Sequence, residues 1–346
     1  MKFQITKKNL LVAIVIILCM GVIRLTSAFV SENGSLANKT EQSNKTIVAI
    51  TQIAPHPSLD TIRRGLMDAL EKGAIPNLEI IFQNAQGSIA TASQIAQKFV
   101  SLSPRVIVPI TTPSTQSAYA ATRGQGKDRT IPVIFAAVSD PIAAKLIPTI
   151  QSSGDGITGV YDMAPVEEQA RLMQELLPKQ ARPLSIGIIF NPGEANSVSL
   201  VTLMTDCLKQ RDITIVKATA STTTEVVAAT QSLIGRVDAI YLPNDNTVIS
   251  ALESVLKVTK EHKVPVFASD PESVERGCLA AIAPDQYEIG KQTGEMVVAL
   301  ITGTRLEKLP PERARHTTFV LNLKVAHDIG LIIPDDMIKK ATRIVQ

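Results

Sequence analysis

The chain has 346 residues, 45% of them hydrophobic, 19% charged and 3% aromatic, with no tryptophan and three cysteines. That length exceeds one compact core and implies about two domains, while the hydrophobic content excludes a disordered chain and the cysteine count a disulfide scaffold. The 35 basic against 32 acidic side chains give a formal charge of +3 without a dense Lys/Arg block, which argues against a nucleic-acid partner.

Lys2, Lys7 and Lys8 precede an apolar run from Leu10 to Ile23, and the small residues Thr26, Ser27 and Ala28 follow, which is the layout of an export signal. The run is shorter than the roughly 20 residues needed to cross a bilayer. Residues 1–28 are therefore expected to be a signal peptide cleaved after Ala28 or, with Arg24 so near that site, an uncleaved N-terminal anchor. Cys19 follows Leu18, a residue too large for a lipidation site. The segment carries four basic groups and no acid, so its removal turns an excess of three positive charges into a deficit of one. Residues 29–45 are polar and aperiodic and read as a flexible linker, in which Asn33, Asn38 and Asn44 each open an N-x-[ST] triplet. In an exported chain Cys207 and Cys278 form either one disulfide or two buried thiols.

From Thr46 the pattern is strand, turn, helix, repeated. IVAITQIA (47–54) precedes a helix-period segment from Leu59 to Leu70, and LEIIFQNAQ (78–86) precedes one from Ile89 to Val100. RVIVPITTPS (105–114) leads into Thr115 to Thr122, and IPVIFAAVSDP (131–141) closes the set. SIGIIFNPGEANS (185–197), DITIVKATAS (212–221), VDAIYLPNDNT (237–247) and VPVFASDPES (264–273) then repeat the series in the same order. The expected fold is α/β: two Rossmann-like lobes in tandem, each a parallel sheet flanked by helices, with GITGVYDMAP (156–165) as the passage between them.

Ligands of open parallel sheets sit beyond the carboxyl ends of the strands, and two facing lobes make a cleft there. The first lobe brings His56, Ser58, Gln83, Asn84, Thr111, Thr112, Ser114, Ser139 and Asp140 to those ends, and the second brings Asn191, Glu194, Asn196, Ser197, Asn244, Asp245, Asn246 and Asp270. Hydroxyls, amides and a few carboxylates suit a small polar ligand held by directed hydrogen bonds. Thr111, Thr112 and Ser114 fall where a strand turns into a helix N-terminus, a place that receives a carboxylate or is merely capped by them. Asp270, with Asp245 as second candidate, fits an ammonium group, although Asp before Pro271 also starts turns. Tyr161 and Tyr287 fall in expected crossings between lobes and are candidates for the cleft wall, whereas Phe82, Phe135, Phe190, Tyr241 and Phe267 read mainly as core. His56, His262, His316 and His327 show no metal-ligand spacing, and no G-x-S-x-G elbow or phosphate loop is present, so neither catalysis nor a metal or cofactor is expected. Gly154, Gly156 and Gly159 satisfy G-x-G-x-x-G, but Ile157 to Tyr161 reads as a strand where that motif needs a helix.

HPSLDTIRRGL (56–66), FQNAQG (82–87), AQKFV (96–100), FAAVSDP (135–141), ITGVYD (157–162), FNPGEANSV (190–198), DAIYLPNDNTV (238–248) and VFASDPESVERG (266–277) occur in one order over residues 46–346. In these stretches the chain resembles bacterial ABC-transporter substrate-binding proteins of the tryptophan/tyrosine-binding type, with the type I periplasmic binding protein fold. The resemblance implies three crossover hinge strands, with residues 46–160 and 285–318 in one lobe and 161–284 and 319–346 in the other. It implies an amino acid ligand, aromatic in kind, delivered to an ABC permease in the membrane by an exported, periplasmic, monomeric protein. It places Thr111, Thr112, Ser114 and Ser139 on the ligand carboxylate, Asp270 on its ammonium, and Asn191 and Asn246 as further contacts. Pro55 stands where relatives commonly carry Glu, and the lipidation site common among them is lacking. A ligand-binding sensory domain, or a binding protein for a nucleoside or sugar, is the competing reading.

Overall fold

The computed structural model describes residues 45–123, 131–178 and 181–346. The expected export segment, and the linker up to residue 44, lie outside the described residues. Residues 47–75 and 80–346 pack as one unit.

Two sheets organise that unit. The first contains β1 (Thr46–Gln52), β2 (Leu78–Asn84), β3 (Val106–Ile110), β4 (Val133–Val138) and β5 (Ile157–Tyr161). The second contains β6 (Ser185–Phe190), β7 (Thr214–Thr219), β8 (Ala239–Leu242), β9 (Val266–Ala268) and β10 (Ala280–Pro284). Near the C-terminus β11 (Glu312–Arg313) joins the first sheet, and β12 (Thr317–Asn322) and β13 (Arg343–Val345) join the second. Their orders are β11-β5-β4-β3-β1-β2 and β13-β12-β10-β9-β8-β6-β7. The repetition read from the sequence is thus a repetition of topology, since each half winds its second strand outside its first and then continues through the third, fourth and fifth. β10 meets β12 antiparallel, while β3 with β4 and β6 with β8 are examples of the parallel pairing that dominates.

The strands are apolar because helices cover both faces. β3 and β4 are buried along their whole length, and fully buried Phe135 and Tyr241 fill the two lobes. Phe82 departs from the core expectation: it is 40% exposed, with the Arg63 guanidinium over its ring at 4.6 Å. The expected passage at 156–165 is also corrected, because Ile157–Tyr161 is the fifth strand of the first sheet and the chain leaves that sheet only after it. No helix opens on Gly154 to Gly159, so that glycine pattern belongs to a strand entry.

The chain passes between the sheets at 162–165, at 285 and at 314–316. After the second passage, helix Gln286–Ile301 lies against helix Pro57–Lys72 of the first lobe, so closely that a Cβ at Gly290 would stand 1.9 Å from the Ile62 carbonyl oxygen. Cys207 and Cys278 are free, buried thiols in different clusters of the second lobe, so the disulfide alternative is not realised.

Candidate functional site

The order change in a doubly wound sheet opens a crevice between the first and third strands of each half, at their carboxyl ends. Here those places are the segments after β1 and β3 in one lobe and after β6 and β8 in the other. The residues that follow these strands meet in one cavity, about 420 Å³ when the open space at its mouth is included. Its wall contains His56, Ser58, Thr111, Thr112 and Ser139 from the first lobe, and Asn196, Asn244, Asp245, Asn246 and Asp270 from the second.

The first lobe presents hydroxyls in constrained positions. Thr111 follows β3 with φ at 76°, a left-handed conformation that costs a β-branched residue about 1–3 kcal/mol. Its carbonyl accepts the Thr115 amide at 3.0 Å and the Thr115 hydroxyl at 2.7 Å, which fixes the turn into helix Thr112–Arg123. Ala137, at the irregularity where β4 pairs with β5, is likewise left-handed, with φ at 53°, and also lines the cavity. The Thr111, Thr112 and Ser114 hydroxyls are all buried without a hydrogen-bond partner. Both nitrogens of buried His56 are unpartnered too. Burial pushes the His56 pKa down against the opposing pull of Asp270, so the ring is neutral at pH 7.

The second lobe is largely satisfied internally, although Asn196 Oδ1 is buried without a partner. Asp245 accepts the Asn191 amide at 2.5 Å, the Ser197 hydroxyl at 2.6 Å and the Val248 amide at 2.9 Å, and so caps helix Asn246–Ser250. Burial, with Glu194 as the next cause, lifts the Asp245 pKa to about 7. Glu194 accepts the amides of Asn246 and Thr247 at 3.0 and 2.9 Å, the Asn246 side chain at 2.6 Å and the Thr247 hydroxyl at 2.8 Å. Asn191 Nδ2 donates to the Thr247 hydroxyl at 2.9 Å, and Asn196 Nδ2 to the Asn244 carbonyl at 2.6 Å.

Bonds cross between the lobes. Ser58 donates to Asp270 at 2.7 Å, Ser199 to Asp140 at 3.0 Å, and Asn244 to Asp162 at 3.3 Å. Asp162, on the first passage between sheets, lines the cavity, and burial lifts its pKa to about 7.

Of the residues expected from sequence, His56, Ser58, Thr111, Thr112, Ser139, Asn196, Asn244, Asp245, Asn246 and Asp270 meet in the cavity wall. Asn191 and Glu194, with Asn246, line a second, solvent-open space against Pro55, Ile89 and Pro113. Ser114 lies behind Thr112 in the same helix turn, and Ser197 is used by Asp245. Asn84 closes its own turn, accepting the Gln86 amide at 2.8 Å. Asp140 caps the turn to Ala143 and reaches across to Ser199. Tyr161 is packed in the cluster of Phe135 and Leu146, and Tyr287 donates to Asp68 at 2.8 Å outside the cavity. Leu59, Ala137, Asp162, Ile249 and Gln286 line the cavity without having been singled out. Asp162 had a signal in the sequence, an acid directly after an apolar stretch at a lobe passage.

Comparison with known proteins follows the same lines. Residues 47–345 match the family model described as ABC transporter substrate binding protein. A protein of Clostridioides difficile (strain R20291) named tyrosine-binding protein is 33% identical over 322 residues, 91% of each chain. The structure of a Streptococcus pneumonia ABC domain in complex with L-Trp superimposes with a TM-score of 0.81 at 29% identity, covering 87% of this chain and 100% of that one. A ligand-free, open substrate-binding protein of Clostridium difficile, 32% identical over 87% of this chain and 99% of its own, gives a TM-score of 0.64.

Proposed function

The chain belongs to the ABC transporter substrate-binding protein family, on the type I periplasmic binding protein fold, and from that premise we propose that it captures an amino acid between its lobes for an ABC importer. The observation that carries this reading is the set of unmet polar atoms on residues of one cavity: both His56 nitrogens, the hydroxyls of Thr111 and Thr112, Asp162 Oδ1 and Asn196 Oδ1. Each buried group left unpaired costs about 1–3 kcal/mol, and a polar ligand offsets that cost. The N-terminus of helix Thr112–Arg123 and its hydroxyls, with Ser139, take the ligand carboxylate. The acids of the wall take its ammonium, and among the described residues no Lys or Arg lines the cavity to repel it. An aromatic side chain is favoured by the tyrosine-binding relative and the L-Trp-bound neighbour, with Leu59, Ile249 and the neutral His56 ring as its wall.

In this reading the protein is exported by residues 1–28 and works as a periplasmic monomer, either released or held by that segment. Its lobes, with bounds moved from the expected ones to 46–161 with 286–313 and 166–284 with 317–346 because Tyr161 belongs to the first sheet and Thr317 to the second, turn about the three passages, and the ligand stabilises the closed form through contacts absent from the open one. Calorimetric titration of the mature protein with the twenty amino acids tests this. Binding of tyrosine, tryptophan or phenylalanine is expected, and no heat from any of the twenty would overturn the amino-acid reading.

A further inference from the structure

Three acids line the cavity, and they are not equally free. Asp245 is occupied by Asn191, Ser197 and Val248. Asp270 accepts the Ser273 amide at 2.9 Å, the Ser273 hydroxyl at 2.6 Å and the Ser58 hydroxyl at 2.7 Å, which uses three of about four acceptor positions on a carboxylate. Two of those bonds build the start of helix Glu272–Arg276, and the third joins the lobes. Asp162 differs. It is 4% exposed, its Oδ2 has one long bond from Asn244 at 3.3 Å, and its Oδ1 has no partner.

We propose, on the amino-acid reading above, that Asp162 receives the ligand's ammonium group through its free Oδ1, and that Asp270 acts instead as a clasp between the lobes through Ser58. An ammonium brings three donors and is best met by a carboxylate oxygen that holds no other bond. The Ser139 hydroxyl stands near enough to donate toward Asp162 and so favours its ionised form, the form that takes a cation. Burial without a counter-charge makes the Asp162 anion costly, and an incoming cation is the partner that lowers the cost. The position also serves closure. Asp162 stands on a passage that must bend when the lobes part, and its Oδ2 is held by Asn244 of the second lobe. A cation bound there ties the ligand to the hinge and to both lobes.

The test is a cycle between a ligand group and a side chain. L-Tyrosine and 3-(4-hydroxyphenyl)propanoate, which lacks only the amino group, are titrated into the wild type, Asp162→Asn and Asp270→Asn, with Asp162→Ser as a second replacement should the amide variant not fold. Loss of the amino group is expected to weaken binding to the wild type about a hundredfold or more, as for truncation of a buried charge pair. That penalty should shrink to within a few fold in the Asp162 variants and persist in Asp270→Asn. A penalty that persists in the Asp162 variants and vanishes in Asp270→Asn overturns the assignment. Failure of the wild type to bind tyrosine or any other amino acid would instead remove the amino-acid reading, and this assignment with it.

Discussion

Replacement of Asp162 by Asn should make the protein more stable relative to the wild type at pH 8 than at pH 5. Burial raises the Asp162 pKa from 3.8 to about 7 in the folded chain. The folded state therefore binds a proton that the unfolded state has released between those values, so stability falls as pH rises through that window and levels off above it. A shift of roughly three units at 1.36 kcal/mol each sets a ceiling of about 4 kcal/mol on the loss, reduced by whatever relaxation lets water reach the carboxylate. Asn keeps the shape and the contact with Asn244 and does not ionise. Urea unfolding of ligand-free wild type and variant at pH 5 and pH 8 isolates the effect, because every other titrating group contributes to both proteins and cancels in the difference. Because the unfolded acid is already ionised at pH 5 and that part of the loss lies below the window, the gap should move in favour of the variant by up to about 2.5 kcal/mol between the two pH values, read as a change in midpoint at constant slope. An unchanged gap would mean that Asp162 ionises as it does in the unfolded chain, and the account of it as a buried acid awaiting a cation would be wrong.

Two further substitutions separate affinity from stability. Ser58→Ala removes the donor that reaches Asp270 across the cleft, while the two bonds from Ser273 remain. Ligand affinity should drop about tenfold by calorimetry, as for one hydrogen bond to a charged acceptor, and an unchanged affinity would show that the clasp does not contribute to closure. Thr111→Val deletes a buried hydroxyl without a partner and keeps the shape of the strained residue. Thermal unfolding of the ligand-free protein should be unchanged or slightly raised while amino acid binding weakens by an order of magnitude, since leaving a buried donor unpaired costs about 1–3 kcal/mol. A parallel loss of both would assign Thr111 a structural role.

The architecture was legible because it rests on local periodicity. Short apolar runs such as VIVPI and VIFAAV, each followed by a helix-period segment, specify strands buried on both faces. The repeat of four such units then implies two lobes, and the rule for strand ends places His56, Thr111, Asn196 and Asn246 in the cleft before any coordinate is known. Where the reading missed, the cause is tertiary. Tyr161 ends a strand buried along its whole length, so no alternation marks its face, and its ring lies with Phe135. Phe82 is exposed where a strand phenylalanine reads as core, because β2 is the edge strand of its sheet.

The harder distinction is between polar residues that hold the protein and polar residues that hold something else. Glu194, Ser197, Asn191 and Asp245 have the composition of a binding site, and most of their bonding capacity goes to one another and to the start of helix Asn246–Ser250. Asp162 has the same side chain as Asp245 and Asp270, and only the count of its hydrogen bonds sets it apart. That count depends on which donors three separate segments bring within about 3 Å, a property that residue type and spacing do not encode. The lobes accordingly differ in what they offer: the second is a preorganised wall whose polar groups are largely spent, and the first, with Asp162 at its edge, carries most of the unmet ones. A ligand gains most where bonds are still to be made, so the free energy of capture resides mainly in the hydroxyls after β3 and in the acid at the first passage, while the second lobe contributes shape and, through Asp270, the acceptor of the Ser58 clasp.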